Sequence, residues 1–234
     1  MKRHDWGSKR VLDVGCGQGI VINHLSTLGA TVFGLDMSPT SLRRAAAGAN
    51  EFGLSQSVHL AMADAECLPF PDSCFDAVIS FGVLHHTPDT EGGVKEVWRV
   101  LKPGGLAIVM LYRSGNPKWW MTRLIRSFSG LIDCVTRKNH TVVDWLRPRH
   151  GVDEVRGTAL LELFGVPILK GFSNKQARKM FNMFSKIEII NYQPGFRRLV
   201  DVVKILRPLE KLLQRLDQRV EQIWGFYQVI QAIK

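Results

Sequence analysis

The stretch Val11-Leu12-Asp13-Val14-Gly15-Cys16-Gly17-Gln18-Gly19 decides how the rest of this chain is read. Val11, Leu12 and Val14 are strand formers and suit a short buried strand. Gly15, Gly17 and Gly19 follow it, and glycines in that position let a ligand approach the main chain closely. From Gln18 to Leu28 the apolar residues Val21, Leu25 and Leu28 recur at helical spacing, and Gly29 is placed to end the run. Strand, glycine loop and helix together describe the first unit of a nucleotide-binding α/β sheet. A dinucleotide fingerprint would read G-x-G-x-x-G; here the glycines read G-x-G-x-G after an acid, and position 20 is Ile20.

At that point the sequence resembles the class I S-adenosylmethionine-dependent methyltransferases, whose first motif reads much like Leu12 to Gly19. The resemblance implies a loop that cradles the amino acid and ribose of a cofactor without phosphate.

Working outward, Thr31-Val32-Phe33-Gly34-Leu35 reads as a second strand ending at Asp36. Ser38 then suits an N-cap with Pro39 at the first helical position, for a helix to about Phe52. An acid at a strand tip is placed to take two ribose hydroxyls, the role this position has in the resembled family. Helix capping by Asp36 is the competing reading, and Ser38 is better placed for it. Val58 to Met62 reads as a third strand followed by Asp64-Ala65, which the family uses for the adenine ring. Phe75 to Phe81 reads as a fourth strand. The phrase LPFPDSCFDAVIS, then Gly82-Val83-Leu84-His85-His86, is similar to the subgroup that includes the ubiquinone/menaquinone-type methyltransferases.

The resemblance therefore implies cofactor-binding roles for Asp13, Gly15, Cys16, Gly17, Gly19, Asp36, Met37, Asp64, Ala65 and Phe81, with no metal. His85 and His86 lie past a strand's carboxyl end, where such sheets place their crevice. Either suits a general base, set against a purely loop-orienting role.

A helix over 91–101 and the turn Pro103-Gly104-Gly105 lead to a fifth strand, Leu106 to Tyr112; RVLKPGG before it also resembles the family. From Arg113 to Phe172 the pattern breaks for about 60 residues, too long for a structureless loop. Asn116-Pro117 starts an expected helix with Trp120, Leu124, Phe128 and Ile132 at i+4 spacing. The reading is one domain over 1–234 with a lid inserted at 113–173. A helix over Lys175 to Phe184, a sixth strand Lys186 to Tyr192 and a seventh over Gly225 to Lys234, antiparallel to it, complete the sheet. The expected architecture is a Rossmann-like, seven-stranded, mostly parallel sheet with helices on both faces. Between the last strands a helix from about Leu209 has an apolar stripe, read as packing on the sheet ahead of a partner-binding role.

Composition bounds the function. The 234 residues are 45% hydrophobic and 22% charged, which excludes a disordered chain. The four cysteines (Cys16, Cys67, Cys74, Cys134) have no zinc spacing, and no secretory leader or membrane-length apolar run is visible, so a reducing cytoplasm is expected. The short stretch before the glycine loop lacks the family's usual covering helix: the chain starts short or a later element covers the cofactor. The net charge of +10 is confined to the second half, where residues 113–234 carry 22 Lys/Arg against 10 Asp/Glu. Within 113–150 the cations Arg113, Lys118, Arg123, Arg126, Arg137, Lys138, Arg147 and Arg149 interleave with Trp119, Trp120, Phe128 and Trp145. That composition suits an anionic membrane surface, against the plainer reading of packed aromatics and solvated cations. The expectation is a methyltransferase acting on a small-molecule or lipid-like acceptor by in-line transfer, with no specific nucleic acid. An RNA-binding or RNA-modifying protein on the same fold is the competing class, and an NAD-dependent oxidoreductase stands further off.

Overall fold

A computed structural model describes residues 5–116, 119–120, 123–124, 126–128, 134, 167–192 and 208–234. The chain divides into two compact units. The first comprises the chain up to Tyr112 with Phe172–Ile190 and Tyr227–Lys234; the second comprises Arg113–Gly171 and Asn191–Phe226. The second begins where the insertion at 113–173 is expected to begin, and takes in 191–226 as well.

The strands are β1 (Arg10–Val14), β2 (Thr31–Asp36), β3 (Val58–Met62), β4 (Phe75–Phe81), β5 (Leu101–Tyr112), β6 (Lys186–Tyr192) and β7 (Tyr227–Ile233), all within the first unit except the last two residues of β6. They form one seven-stranded sheet in the order β3-β2-β1-β4-β5-β7-β6. β1 to β5 pair in parallel, and β7 runs antiparallel to β5 with Leu106 opposite Ile233. Parallel strands covered on both faces read as continuous apolar runs, and Val11, Leu12 and Val14 are at most 1% exposed. On one face Val94, Val97 and Val100 of α3 (Thr90–Val100) are fully buried, each worth about 1.5–3 kcal/mol of transfer free energy. Ala177, Met180 and Phe181 join that cluster from α4 (Asn174–Met180) and its end. On the other face Ile22 and Leu25 of α1 (Ile20–Thr27) pack with Val11, Val32 and Ile79.

Helix starts follow their caps. Ser38 Oγ accepts Ser41 N–H at 3.2 Å with Pro39 opening α2 (Pro39–Glu51), as expected. Asp89 Oδ1 accepts Gly92 N–H at 2.9 Å for α3. Several boundaries differ from expectation: α4 ends at Met180 instead of Phe184, and β7 begins at Tyr227 instead of Gly225. β5 begins at Leu101, because Leu101 already pairs with Phe75, and the Pro-Gly-Gly turn is a register irregularity within the strand. After β4 a single 3₁₀ turn, Leu84–His86, was not foreseen.

In the second unit α5 (Glu210–Trp224) ends on three carbonyls, each taken by a side chain: Gln222 by Asn191 Nδ2 at 2.7 Å, Ile223 by Arg113 and Trp224 by Asn116. Helix C-termini leave such carbonyls without intrahelical partners, and a cation there also suits the helix dipole. The apolar stripe expected to be packed is open in part. None of its residues is buried, and Leu212 and Ile223 are 61% and 63% exposed. Much of the expected lid, including Ile132, lies outside the described residues.

Candidate functional site

The carboxyl ends of β1, β2, β3 and β4 carry the residues singled out from sequence. The glycine loop turns immediately after Val14: the N–H groups of Gly15 and Cys16 both donate to Leu35 O, at 2.7 and 2.8 Å. Asp36, at the tip of β2, accepts Gly17 N–H on Oδ2 at 2.9 Å and Ser38 N–H on Oδ1 at 2.8 Å. The carboxylate therefore fixes the loop and the start of α2 together.

The glycines have different reasons. Gly15 has φ +77°, and a Cβ there would stand 2.0 Å from Val83 Cγ2, on the turn after β4. Gly17 has φ +52° and nothing within 4 Å of its would-be Cβ. The space beside Gly17 is open to a ligand. Gly19 packs on Ala45, 3.0 Å from its would-be Cβ, and lets α1 and α2 approach.

Asp13 lies under this loop, 3% exposed. Burial foremost, and the charge of Asp36 next, push its carboxyl up to about 7. The Cys16 thiol is buried too and pushed up to about 12, chiefly by burial and then by Asp13, so it is inert; its Sγ faces the core near Gly34. Only the main chain of Cys16 belongs to the loop's surface. Asp64, exposed past β3, accepts Glu66 N–H on Oδ1 at 2.9 Å, and Ala65 beside it is buried. Met37 is 66% and Phe81 41% exposed, large apolar side chains left open at the tips of β2 and β4.

Sequence reasoning missed how the segment after Asp64 is held. Glu96 of α3 accepts Leu68 N–H at 2.8 Å, and Arg99 donates to Leu68 O, Phe70 O and Asp72 at 2.8–3.0 Å while paired with Glu96 at 2.7 Å. Arg99 stands in the phrase RVLKPGG, so the residue was in view; its partners, 27–31 positions away, were not. Ser80 Oγ, donating to Val14 O at 3.2 Å, ties β4 to the glycine loop's root and was likewise missed.

The histidines separate. His85 is fully buried, and neither ring nitrogen has a well-aligned hydrogen-bond partner. Its ring lies 3.9 Å from that of Tyr112 and 4.2 Å from that of His86, centroid to centroid. Burial foremost, and the neighbouring His86 next, hold His85 well below its ordinary pKa, with the Met110 backbone pulling weakly the other way. Of the two roles expected for His85, base or loop-orienting residue, this burial against Tyr112 speaks for the loop-orienting one. His86 is half-buried.

A cavity of about 330 Å³ lies at the opposite, amino-terminal edge of the sheet, between Trp6, Lys9, Asp76, Lys102 and Gly104. Lys102 and Asp76 pair there at 2.9 Å, and none of the strand-tip acids lines it. The candidate site is the glycine-loop end.

A family model described as "Methyltransferase domain" matches residues 12–109. The ubiquinone biosynthesis O-methyltransferase of Sodalis glossinidius is 31% identical over 190 residues, 81% of this chain and 73% of that protein. The chain belongs to the class I S-adenosylmethionine-dependent methyltransferases. The sterol 24-C-methyltransferase erg6 of Aspergillus fumigatus is 40% identical over 123 residues, 51% of this chain but only 31% of that protein's length. The crystal structure of an S-adenosylmethionine-dependent methyltransferase from Mesorhizobium loti superposes with a TM-score of 0.62 at 19% identity, covering 99% of this chain and 94% of that one, which speaks for the fold. S-adenosylmethionine is the cofactor of this methyltransferase family, and the residues fit it. The space beside Gly17 is open, acids stand at two neighbouring strand tips, and the apolar Met37 and Phe81 are exposed at the tips of β2 and β4. Among the described residues no cluster of His, Cys, Asp and Glu could hold a metal.

Proposed function

We propose that this methyltransferase transfers the methyl group of S-adenosylmethionine in line to a small-molecule or lipid-like acceptor. The observation that carries the reading is the open space at Gly17 beside the Asp36 carboxylate. When bound, the cofactor supplies a methyl group on a positively charged sulfur. Gly15, Cys16, Gly17 and Gly19 would hold its amino-acid end through the main chain, above Asp13. Asp36 would take the ribose hydroxyls on the lone pairs its two backbone bonds leave over. Asp64 and the main chain of Ala65 would meet the adenine, with Met37 and Phe81 against its faces. Orientation supplies most of the rate, because two reactants held at attack distance no longer pay for encounter. Where the acceptor presents O–H or N–H, His86 would receive the proton.

For the acceptor, a lipid-like molecule is favoured by relatives named for ubiquinone biosynthesis and for sterol methylation. The segment 113–173 is proposed as the lid that admits it, with an anionic membrane surface as its docking partner. Trp120, Leu124 and Phe128 support this: they are 58–62% exposed, and the Arg123 guanidinium lies 5.7 Å from the Trp120 ring. Trp119, by contrast, is buried, as the plainer reading of packed aromatics has it. No helix among the described residues is long and apolar enough to cross a membrane. Calorimetry with S-adenosylhomocysteine tests the cofactor site, and methyl transfer from labelled cofactor into lipid extracts tests the acceptor class. Absence of calorimetric binding overturns the reading. Transfer only to water-soluble acceptors overturns the lipid part.

A further inference from the structure

Helix α5 is one-sided in two ways at once. At 100° per residue, Leu209, Leu212, Leu213, Leu216, Val220, Ile223 and Trp224 fall within an arc of about 120°. Lys211, Arg215 and Arg219, at i, i+4 and i+8, run along one margin of that arc, and Glu210, Asp217 and Glu221 run along the other. The protein turns the two margins differently. Lys211, Arg215 and Arg219 are exposed, whereas the three acids are half-buried and each is engaged within the protein. The apolar arc splits the same way: Leu213 and Val220, toward the acids, are half-buried. Leu212, Leu216 and Ile223, toward the cations, are 61%, 38% and 63% exposed.

The outward face of α5 therefore offers aliphatic side chains beside a row of cations. A helix that packs on its own protein does the reverse, turning the apolar stripe inward and the charges out. Nor does α5 need an outside partner for its end, since Asn191, Arg113 and Asn116 already take the last three carbonyls. What complements the outward face is a surface with anions at its rim and hydrocarbon beneath. A second copy packed through the same face would bring its own exposed cations to the contact, and the acids of this helix lie on the other margin, half-buried and engaged.

We propose that the outward face of α5 lies on an anionic lipid bilayer, with Lys211, Arg215 and Arg219 at phosphate level and Leu212, Leu216 and Ile223 directed toward the acyl boundary. This contact is additional to the one proposed for the inserted segment, and it stands independently of the cofactor-site reading. An interfacial helix with aliphatic residues on one side and cations at its edge binds through both contributions together.

The experiment is co-sedimentation of the full chain with vesicles of phosphatidylcholine alone and of equal parts phosphatidylcholine and phosphatidylglycerol. The wild type is expected to sediment with the mixed vesicles and to release as salt rises. Arg215→Gln with Arg219→Gln is expected to weaken binding roughly tenfold or more, since each cation near such a surface counts about fivefold. Leu212→Ser with Leu216→Ser is expected to remove binding. Both double variants should keep the wild-type affinity for S-adenosylhomocysteine, whose proposed contacts lie in the other unit; that measurement separates lost docking from lost folding. The proposal is overturned if both variants bind vesicles like the wild type. It is also overturned if only Arg123→Ser with Arg126→Ser abolishes binding, which places the contact on the inserted segment alone. A third overturning result is a wild-type dimer in light scattering that the leucine variant dissociates while vesicles bind neither. A wild type that binds vesicles but no S-adenosylhomocysteine would sink the cofactor reading and leave this one standing.

Discussion

The carboxylate of Asp36 holds the Gly17 amide at 2.9 Å and, through its other oxygen, the Ser38 amide at 2.8 Å. One side chain thus shapes the glycine loop, and it is the one proposed to take the ribose. Asp36→Ala should weaken S-adenosylhomocysteine binding by about 1.5–3 kcal/mol, the range for hydrogen bonds to a charged group. Asp36→Asn, with one acceptor oxygen, keeps one of the two backbone bonds and should fall between. Calorimetry on both variants decides it, and an unchanged affinity in Asp36→Ala removes the residue from the site.

Asp13 predicts a pH dependence of stability. Its ordinary value is 3.8 and burial with the nearby Asp36 lifts it to about 7. Between about pH 4 and 7 the folded chain keeps a proton that the unfolded chain has lost. Stability from this group is therefore full below about pH 4, falls as pH rises through the window, and falls no further above about 7. Thermal melts from pH 5 to 7.5 should show that slope in the wild type and lose it in Asp13→Asn. A cofactor cation seated beside Asp13 would also expel the proton, so binding at pH 6 should release one. Calorimetry in buffers of different ionisation enthalpy measures it, and the Asp13→Asn variant should show no buffer dependence.

His85 and His86 should respond differently to substitution. With His85 held neutral in the core, its contribution to stability is present above its ordinary value of 6.5 and is lost as pH falls below it, because unfolding then takes up a proton. His85→Phe, which removes two unsatisfied nitrogens while keeping a ring against Tyr112, should lessen the acid-side loss in thermal melts. It should leave the pH profile of turnover in place. His86→Ala should remove the acidic limb of that profile for an O–H or N–H acceptor. If the two variants exchange these behaviours, the assignment of the base is wrong.

Arg99 should prove to hold the segment after Asp64. Arg99→Ala frees Leu68 O, Phe70 O and Asp72 at once and leaves Glu96 without its cation. A loss of about 1–2 kcal/mol in stability is expected for a partly exposed, charge-assisted cluster. Faster hydrogen exchange confined to 66–72, with weaker S-adenosylhomocysteine binding, is the signature to look for. Uniformly faster exchange over the sheet would show that Arg99 supports the core instead.

What the sequence by itself determined was the local chemistry of the first 112 residues. A strand that ends in Gly15, Gly17 and Gly19, and acids directly after two further strands, are short-range patterns whose meaning depends on a few neighbours along the chain. The resulting seven-stranded, mostly parallel sheet and its antiparallel β7 agree with that reading. The tertiary structure alone decided which side chains have solvent. His85 and His86 are adjacent and chemically identical in sequence, yet the turn after β4 sends one into the core against Tyr112 and leaves the other half-exposed. The stripe on α5 likewise has the spacing of a packed helix, and only the arrangement around it left Leu212 and Ile223 open. Periodicity tells which residues share a face; whether that face is covered depends on residues far away in the chain, and no local pattern carries that information.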